Sequence, residues 1–106
     1  MIKQLGKCTH EEKEILNILL EECSEVIQAI SKIFRFGFDS RHPDYPLLTN
    51  RVHLMEELGD LHCMMNLLYQ KNVIPFEEVV RYSEMKLAKL KKYSNINLEV
   101  VDGNAL

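Results

Sequence analysis

Residues 19–30 read LLEECSEVIQAI and residues 54–65 read LMEELGDLHCMM. Each holds two acids three residues apart where a helix should be burying apolar side chains: Glu22 and Glu25, then Glu57 and Asp60. A helix turns about 100° per residue, so each pair lies on one face, one turn apart. On that wheel Ile18, Val26 and Ala29 fall within about 40° of Glu22, and Leu61, Met64 and Leu68 stand in the same relation to Glu57. An ionised carboxylate at the edge of a core is costly unless a positive group compensates it. Two such pairs on facing helices bring four carboxylates together, and the usual compensator is a hard divalent cation. The alternative is that ExxE and ExxD are solvated surface charges, the reading that suits Glu11, Glu12, Glu14, Glu77 and Glu78.

Working outward, Thr9 followed by Glu12 reads as a capping box that opens a first helix, closed by Gly37. Its apolar stripe, Leu16, Leu19, Leu20, Cys23, Val26, Ile27, Ile30, Ile33 and Phe34, covers more than half the circumference. Such a helix needs neighbours on two sides, and so few helices in one chain invite a second subunit. Residues 35–48, RFGFDSRHPDYPLL, read as a loop from their Gly, Asp, Ser and two prolines, with no strong strand signal. The loop is long for a helix–helix connection, and long loops in small domains are often functional. Thr49 or Asn50 caps a second helix to about Gln70, with Leu54, Leu58, Leu61, Met65 and Leu68 as its core face. Asn72 suits a stop. Pro75 suits the first turn of a third helix that buries Phe76, Val79, Val80, Leu87 and Leu90 and ends near Tyr93. The expected organisation is a single all-α domain over residues 1–93, an antiparallel helical bundle completed by oligomerisation, with a tail over 94–106.

Composition narrows the function class. The chain has 106 residues, 46% hydrophobic and 27% charged, as expected of one globular domain. A net charge of −3 and a pI near 5.8 argue against a broad nucleic-acid-binding surface. Cys8, Cys23 and Cys63 are odd in number and lack CxxC or CxxH spacing, so neither a disulfide framework nor a zinc site is expected. Cys23 and Cys63 read as small packing residues. There is no long apolar run and no signal-like N-terminus, which predicts no membrane partner and a cytoplasmic location. A di-iron bundle would need Glu-x-x-His on two helices, and none of His10, His42, His53 and His62 follows a Glu at that spacing. His53 lies within about 40° of Glu57 on the wheel and could approach the acids, whereas His62 falls about 140° away.

Glu21-Glu22-x-x-Glu25 followed by Glu57-x-x-Asp60 resembles the EExxE…ExxD signature of the all-α NTP pyrophosphohydrolases, the MazG-like superfamily. LLEECSEVIQAISKIFRFG is similar to that family's first motif helix and MEELGDLHCMMNLL to its second; the resemblance spans about residues 10 to 93. It implies a helical bundle that self-associates as a dimer or tetramer. It also implies Mg²⁺-dependent conversion of a (d)NTP to the (d)NMP and pyrophosphate, in the nucleotide-metabolism class. By position, Glu22, Glu25, Glu57 and Asp60 would ligate the metal. Glu21 would stand behind them or orient water, completing a catalytic set with Glu22 and Glu25. Lys32 and Arg35 would hold phosphates, with Lys86 and Lys89 as further triphosphate contacts. The segment between the motifs is longer than the family pattern, which leaves Phe36, Phe38 and Tyr45 open between stacking on a base and packing. Two alternatives stand beside this reading: a phosphoribosyl-ATP pyrophosphohydrolase on the same scaffold, and a non-enzymatic helical interaction module.

Overall fold

A computed structural model of the protein describes residues 6–99. Its order is α1 (His10–Phe36), β1 (Arg41–His42), β2 (Tyr45–Thr49), α2 (Asn50–Gln70) and α3 (Phe76–Tyr93). The fold is mostly helical, as expected, with one small antiparallel sheet. The chain divides into two compact units at Val73 and Ile74. The far end of the expected tail, residues 100–106, lies outside the described residues.

Local chemistry sets the helix ends. The Thr9 side chain accepts from the Glu12 N–H at 3.1 Å while Glu12 Oε1 accepts from the Thr9 N–H at 2.8 Å, so the capping box forms. Gly37 ends α1 at φ 88°, where any residue with a Cβ would be strained even though the space beside it is open. Thr49, rather than Asn50, caps α2 by accepting from the Val52 N–H. Asn50 instead donates its amide to the Gly37 carbonyl at 3.0 Å, tying the start of α2 to the end of α1. Asn72 follows α2 at φ 57°, a left-handed conformation that asparagine tolerates better than most residues. Pro75 is the N-cap of α3 and lies just outside it.

In the first unit α1 and α2 pack side by side and run antiparallel. Lys71 at the end of α2 pairs with Glu11 at the start of α1 at 3.2 Å. At the other end, the Asn50 and Arg51 N–H groups donate to the Ser40 and Phe38 carbonyls. Ile15, Ala29 and Ile33 of α1 and Met64 and Leu68 of α2 are the buried apolar residues of the described chain. Ala29 is fully buried; its small side chain suits a close approach of the two helices. In the second unit, α3 half-buries Val79, Val80, Leu87 and Leu90. Glu78 holds Arg81 through two hydrogen bonds.

Three expectations need correction. Residues 35–48 are not simply a loop. They hold the β1–β2 hairpin, in which His42 faces Tyr45 and Arg41 faces Thr49 with an irregularity between the pairs. The two-residue β1 carries no readable alternation, and Pro46 inside the five-residue β2 argues against a strand from sequence. The expected core is also too generous: Leu16, Leu20, Ile27, Ile30, Phe34, Leu58 and Phe76 are exposed. One neighbouring helix covers only one side of α1, so the rest of its wide stripe faces outward. For the same reason Cys23 and Cys63 are exposed free thiols rather than packed residues, as is Cys8. Among the described residues, no helix is long and apolar enough to cross a membrane.

Candidate metal centre and the adjoining cavity

The antiparallel run of α1 and α2 brings the two acid pairs face to face. Glu22, Glu25, Glu57 and Asp60 each offer one carboxylate oxygen, and these four oxygens lie within 4.8 Å of one another. Each pair spans one helical turn, so all four carboxylates stand on rigid backbone rather than on a loop. Glu22 and Glu57 are the more deeply set members. The Glu57 side chain is 12% exposed, and His53, one turn earlier on α2, places Nε2 3.3 Å from its Oε1. The helical-wheel expectation for His53 is met.

The cluster resists its own charge. The Glu57 carboxyl is pushed up to about 7. The first cause is a hydrogen bond with Glu25 that only a protonated carboxyl can make; burial and the charges of Glu25, Asp60 and Glu22 add to it. Glu22 is also raised, by loss of solvent first and then by the charges of Glu25, Asp60 and Glu21. With the acids ionised, Oε2 of Glu22 and Oε2 of Glu57 are buried without a hydrogen-bond partner. A buried acceptor left without a donor costs about 1–3 kcal/mol, and more when charged. An all-oxygen donor set carrying excess negative charge and two orphaned atoms fits a hard divalent cation.

A cavity of about 460 Å³ lies along the same helix pair, beneath the β1–β2 hairpin. Lys32 and Phe36 reach it from α1, His42 and Tyr45 from the hairpin, and Asn50 and His53 from α2. His53 therefore belongs both to the cavity wall and to the surroundings of Glu57. Lys32 stands two turns beyond Glu25, about 10 Å along the helix axis.

The other sequence candidates are placed differently. Glu21 is exposed beside the quartet and adds to the charge felt by Glu22. Arg35 lies 5.0 Å over the ring of its neighbour Phe36 and is absent from the cavity wall. Lys86 and Lys89 are exposed on α3, in the second unit. Of the three aromatics left open, Phe36 and Tyr45 line the cavity, while Phe38 sits under the Arg51 guanidinium at 4.4 Å. His42, for which the sequence suggests no role, lines the cavity and contacts Tyr45, ring centroids 5.1 Å apart. The signal that pointed there was the length of the inter-helix segment, which named no residue. His62 stays on the outer surface near Asn66, away from the acids.

Comparison with curated proteins and with solved structures returned no match. A family model described as the MazG nucleotide pyrophosphohydrolase domain matches residues 10–94, a span that contains both acid pairs and all three helices. The chain belongs to the MazG nucleotide pyrophosphohydrolase family.

Proposed function

We propose that this protein is an Mg²⁺-dependent nucleoside triphosphate pyrophosphohydrolase that converts a (d)NTP and water to the (d)NMP and pyrophosphate. The observation that carries the reading is the convergence of four carboxylate oxygens in a cluster where Oε2 of Glu22 and Oε2 of Glu57 are buried without hydrogen-bond partners. Glu22, Glu25, Glu57 and Asp60 would hold the cation. Bound there, it would supply Lewis-acid stabilisation of charge on the phosphoryl oxygens and lower the pKa of bound water.

The chain's own residues supply the rest. The quartet fixes where the phosphates sit, because carboxylates alone repel a polyphosphate and admit it only beside a cation. Glu21, exposed at the edge, would orient the water that attacks the α phosphorus. A new O–P bond forms there as the bond to the bridging oxygen breaks, and pyrophosphate leaves. Lys32 contributes positive charge from the cavity side; Arg35, Lys86 and Lys89 belong to the same proposal as outer phosphate contacts. His53 holds the Glu57 carboxylate toward the quartet. The exposed apolar side of α1 supports self-association as a dimer or tetramer.

Product identity tests the chemistry. With Mg²⁺ and each (d)NTP, the expected products are the monophosphate and pyrophosphate; a diphosphate with orthophosphate overturns the proposal. Exclusive turnover of phosphoribosyl-ATP would transfer the same site to the narrower substrate.

A further inference from the structure

The proposed reaction engages only the phosphates, and the cavity beneath the hairpin is left over. We propose that this cavity holds the nucleobase, and that its wall of hydrogen-bond donors selects bases bearing a carbonyl at purine C6 or pyrimidine C4 over those bearing an amine there. The inference rests on the triphosphate reading above and adds the substrate's other end.

Position is the first argument. Lys32 and His53 reach the cavity from the two helices, two turns and one turn from the nearest acids, and His53 also contacts Glu57, so the cavity adjoins the quartet. A ligand whose phosphates reach the acids extends its other end along the helices toward the hairpin. Size agrees, since about 460 Å³ falls in the range of small-ligand sites.

The wall chemistry decides which end enters. Phe36, His42 and Tyr45 present flat rings, and a base stacks on such surfaces whatever its sequence identity. A phosphate gains nothing from three rings. The charged and imidazole groups are biased toward donors, beside the neutral Ser40, Tyr45 and Asn50, which can also accept. No Asp or Glu lines the cavity. His42 Nδ1 already accepts from the Asp44 N–H at 3.1 Å, which leaves Nε2 to carry the proton and donate. Arg41 commits one Nη1 hydrogen to the Pro46 carbonyl, with the rest of its guanidinium fork uncommitted among the described residues. Guanine, uracil and thymine present a carbonyl acceptor at the position where adenine and cytosine present an amine donor. An amine at that position would meet the Arg41 and His42 donors with another donor, whereas a carbonyl accepts from them.

Steady-state kinetics with Mg²⁺ and dGTP, dUTP, dATP and dCTP test this in the full chain. The expected result is a kcat/KM at least about tenfold higher for dGTP and dUTP than for dATP and dCTP, the loss of about one base-edge hydrogen-bonding contact. Arg41→Met should bring the four rates together. Tyr45→Ala should raise KM about tenfold for every base while Tyr45→Phe, which keeps the ring, should not. Equal rates on all four bases in the unaltered protein overturn the selectivity. An unchanged KM in Tyr45→Ala, folded by circular dichroism, overturns the cavity as the base site. A uniform loss across all bases in Arg41→Met places that side chain on phosphate and refutes the donor wall. If no triphosphate is hydrolysed, the reaction proposal fails instead. Calorimetric titration with dGMP and dAMP then judges the cavity: preferential dGMP binding abolished by Tyr45→Ala supports it, and no difference between the two overturns it.

Discussion

Helix α1 carries two seams of residues, each stepping by three and four positions, and they leave opposite things unsatisfied. The inner seam, Ile15, Ile18, Glu22, Glu25, Ala29 and Ile33, faces α2 and buries its aliphatic ends. In its middle, two positions that could hold core leucines hold carboxylates. The outer seam, Leu16, Leu20, Cys23, Ile27, Ile30 and Phe34, is apolar throughout yet exposed, with Leu20 at 70%, Ile27 at 65% and Phe34 at 84%. The first seam sacrifices packing to concentrate negative charge; the second offers packing that this chain alone does not use. One helix thus carries a demand for a cation on one side and a demand for an apolar neighbour on the other. The lesson is that local stability and function are divided between faces, not between segments.

The largest expected effect breaks the inner seam. Glu57→Gln keeps size and hydrogen-bonding capacity but removes one charge from the quartet, and kcat/KM should fall by at least about 100-fold, since even outer-sphere changes at metal sites cost 10- to 100-fold. Metal-free stability of the same variant should be unchanged or higher, because it relieves repulsion. Glu14→Gln, on an exposed part of the helix, should alter neither. Near-normal turnover in Glu57→Gln, measured by pyrophosphate release, would refute the quartet as the site.

The outer seam is tested next. Ile27→Glu sets a charge in the centre of the apolar strip, and sedimentation equilibrium should show an oligomer for the unaltered protein and a monomer for the variant. If the unaltered protein is already a stable folded monomer at micromolar concentration, the strip is not an interface.

Cation binding separates the seams by a different route. Mg²⁺ in excess of its dissociation constant should raise the melting temperature of the native protein in a saturable way and leave that of Glu57→Gln unmoved. A flat response of the native protein would favour the non-enzymatic interaction module. The pH dependence of the metal-free protein is smaller and its sign is fixed. Glu57 is raised in the fold from an ordinary carboxyl value to about 7, so between those values the folded state binds more protons than the unfolded one. Stability therefore falls as pH rises across that window. Thermal melts in chelator at pH 5 and pH 8 should show the lower midpoint at pH 8, with Mg²⁺ reversing the difference; a higher midpoint at pH 8 contradicts the coupling of Glu57 to its neighbours.

The smallest contrast concerns two cations on α1. Lys32 lines the cavity and Arg35 rests on the Phe36 ring. Lys32→Met should raise KM for triphosphates by about tenfold, the loss of one charge-assisted contact, and Arg35→Met by less than that. The reverse order, read from initial rates, would move the phosphates to the other side of the helix.

How much was legible depended on the range of the interactions involved. Thr9 with Glu12, Gly37, Thr49 and the stop at Asn72 announce helix boundaries because caps act within four residues, and the structure keeps each of them. The pairs Glu22/Glu25 and Glu57/Asp60 were readable because i,i+3 spacing and apolar flanks are properties of one helix at a time. The hairpin was not, since strands as short as Arg41–His42 leave no periodic trace. The cavity was still less so: Lys32, His42, Tyr45 and His53 come from four elements, and no spacing in the chain states that they meet.

The sequence by itself determined where three helices start and stop, that two of them place acids on apolar faces, and that α1 has more apolar surface than one partner can cover. Tertiary structure alone decided that the two acid pairs oppose each other within 4.8 Å, because that depends on the antiparallel register of α1 against α2. It also decided which apolar residues stay outside, which a single helical wheel does not rank. Helix ends follow from hydrogen bonds closed within a turn. Sites and interfaces follow from the relative placement of whole elements, and that is settled by the packing of α1 against α2 over their whole length rather than by any local pattern.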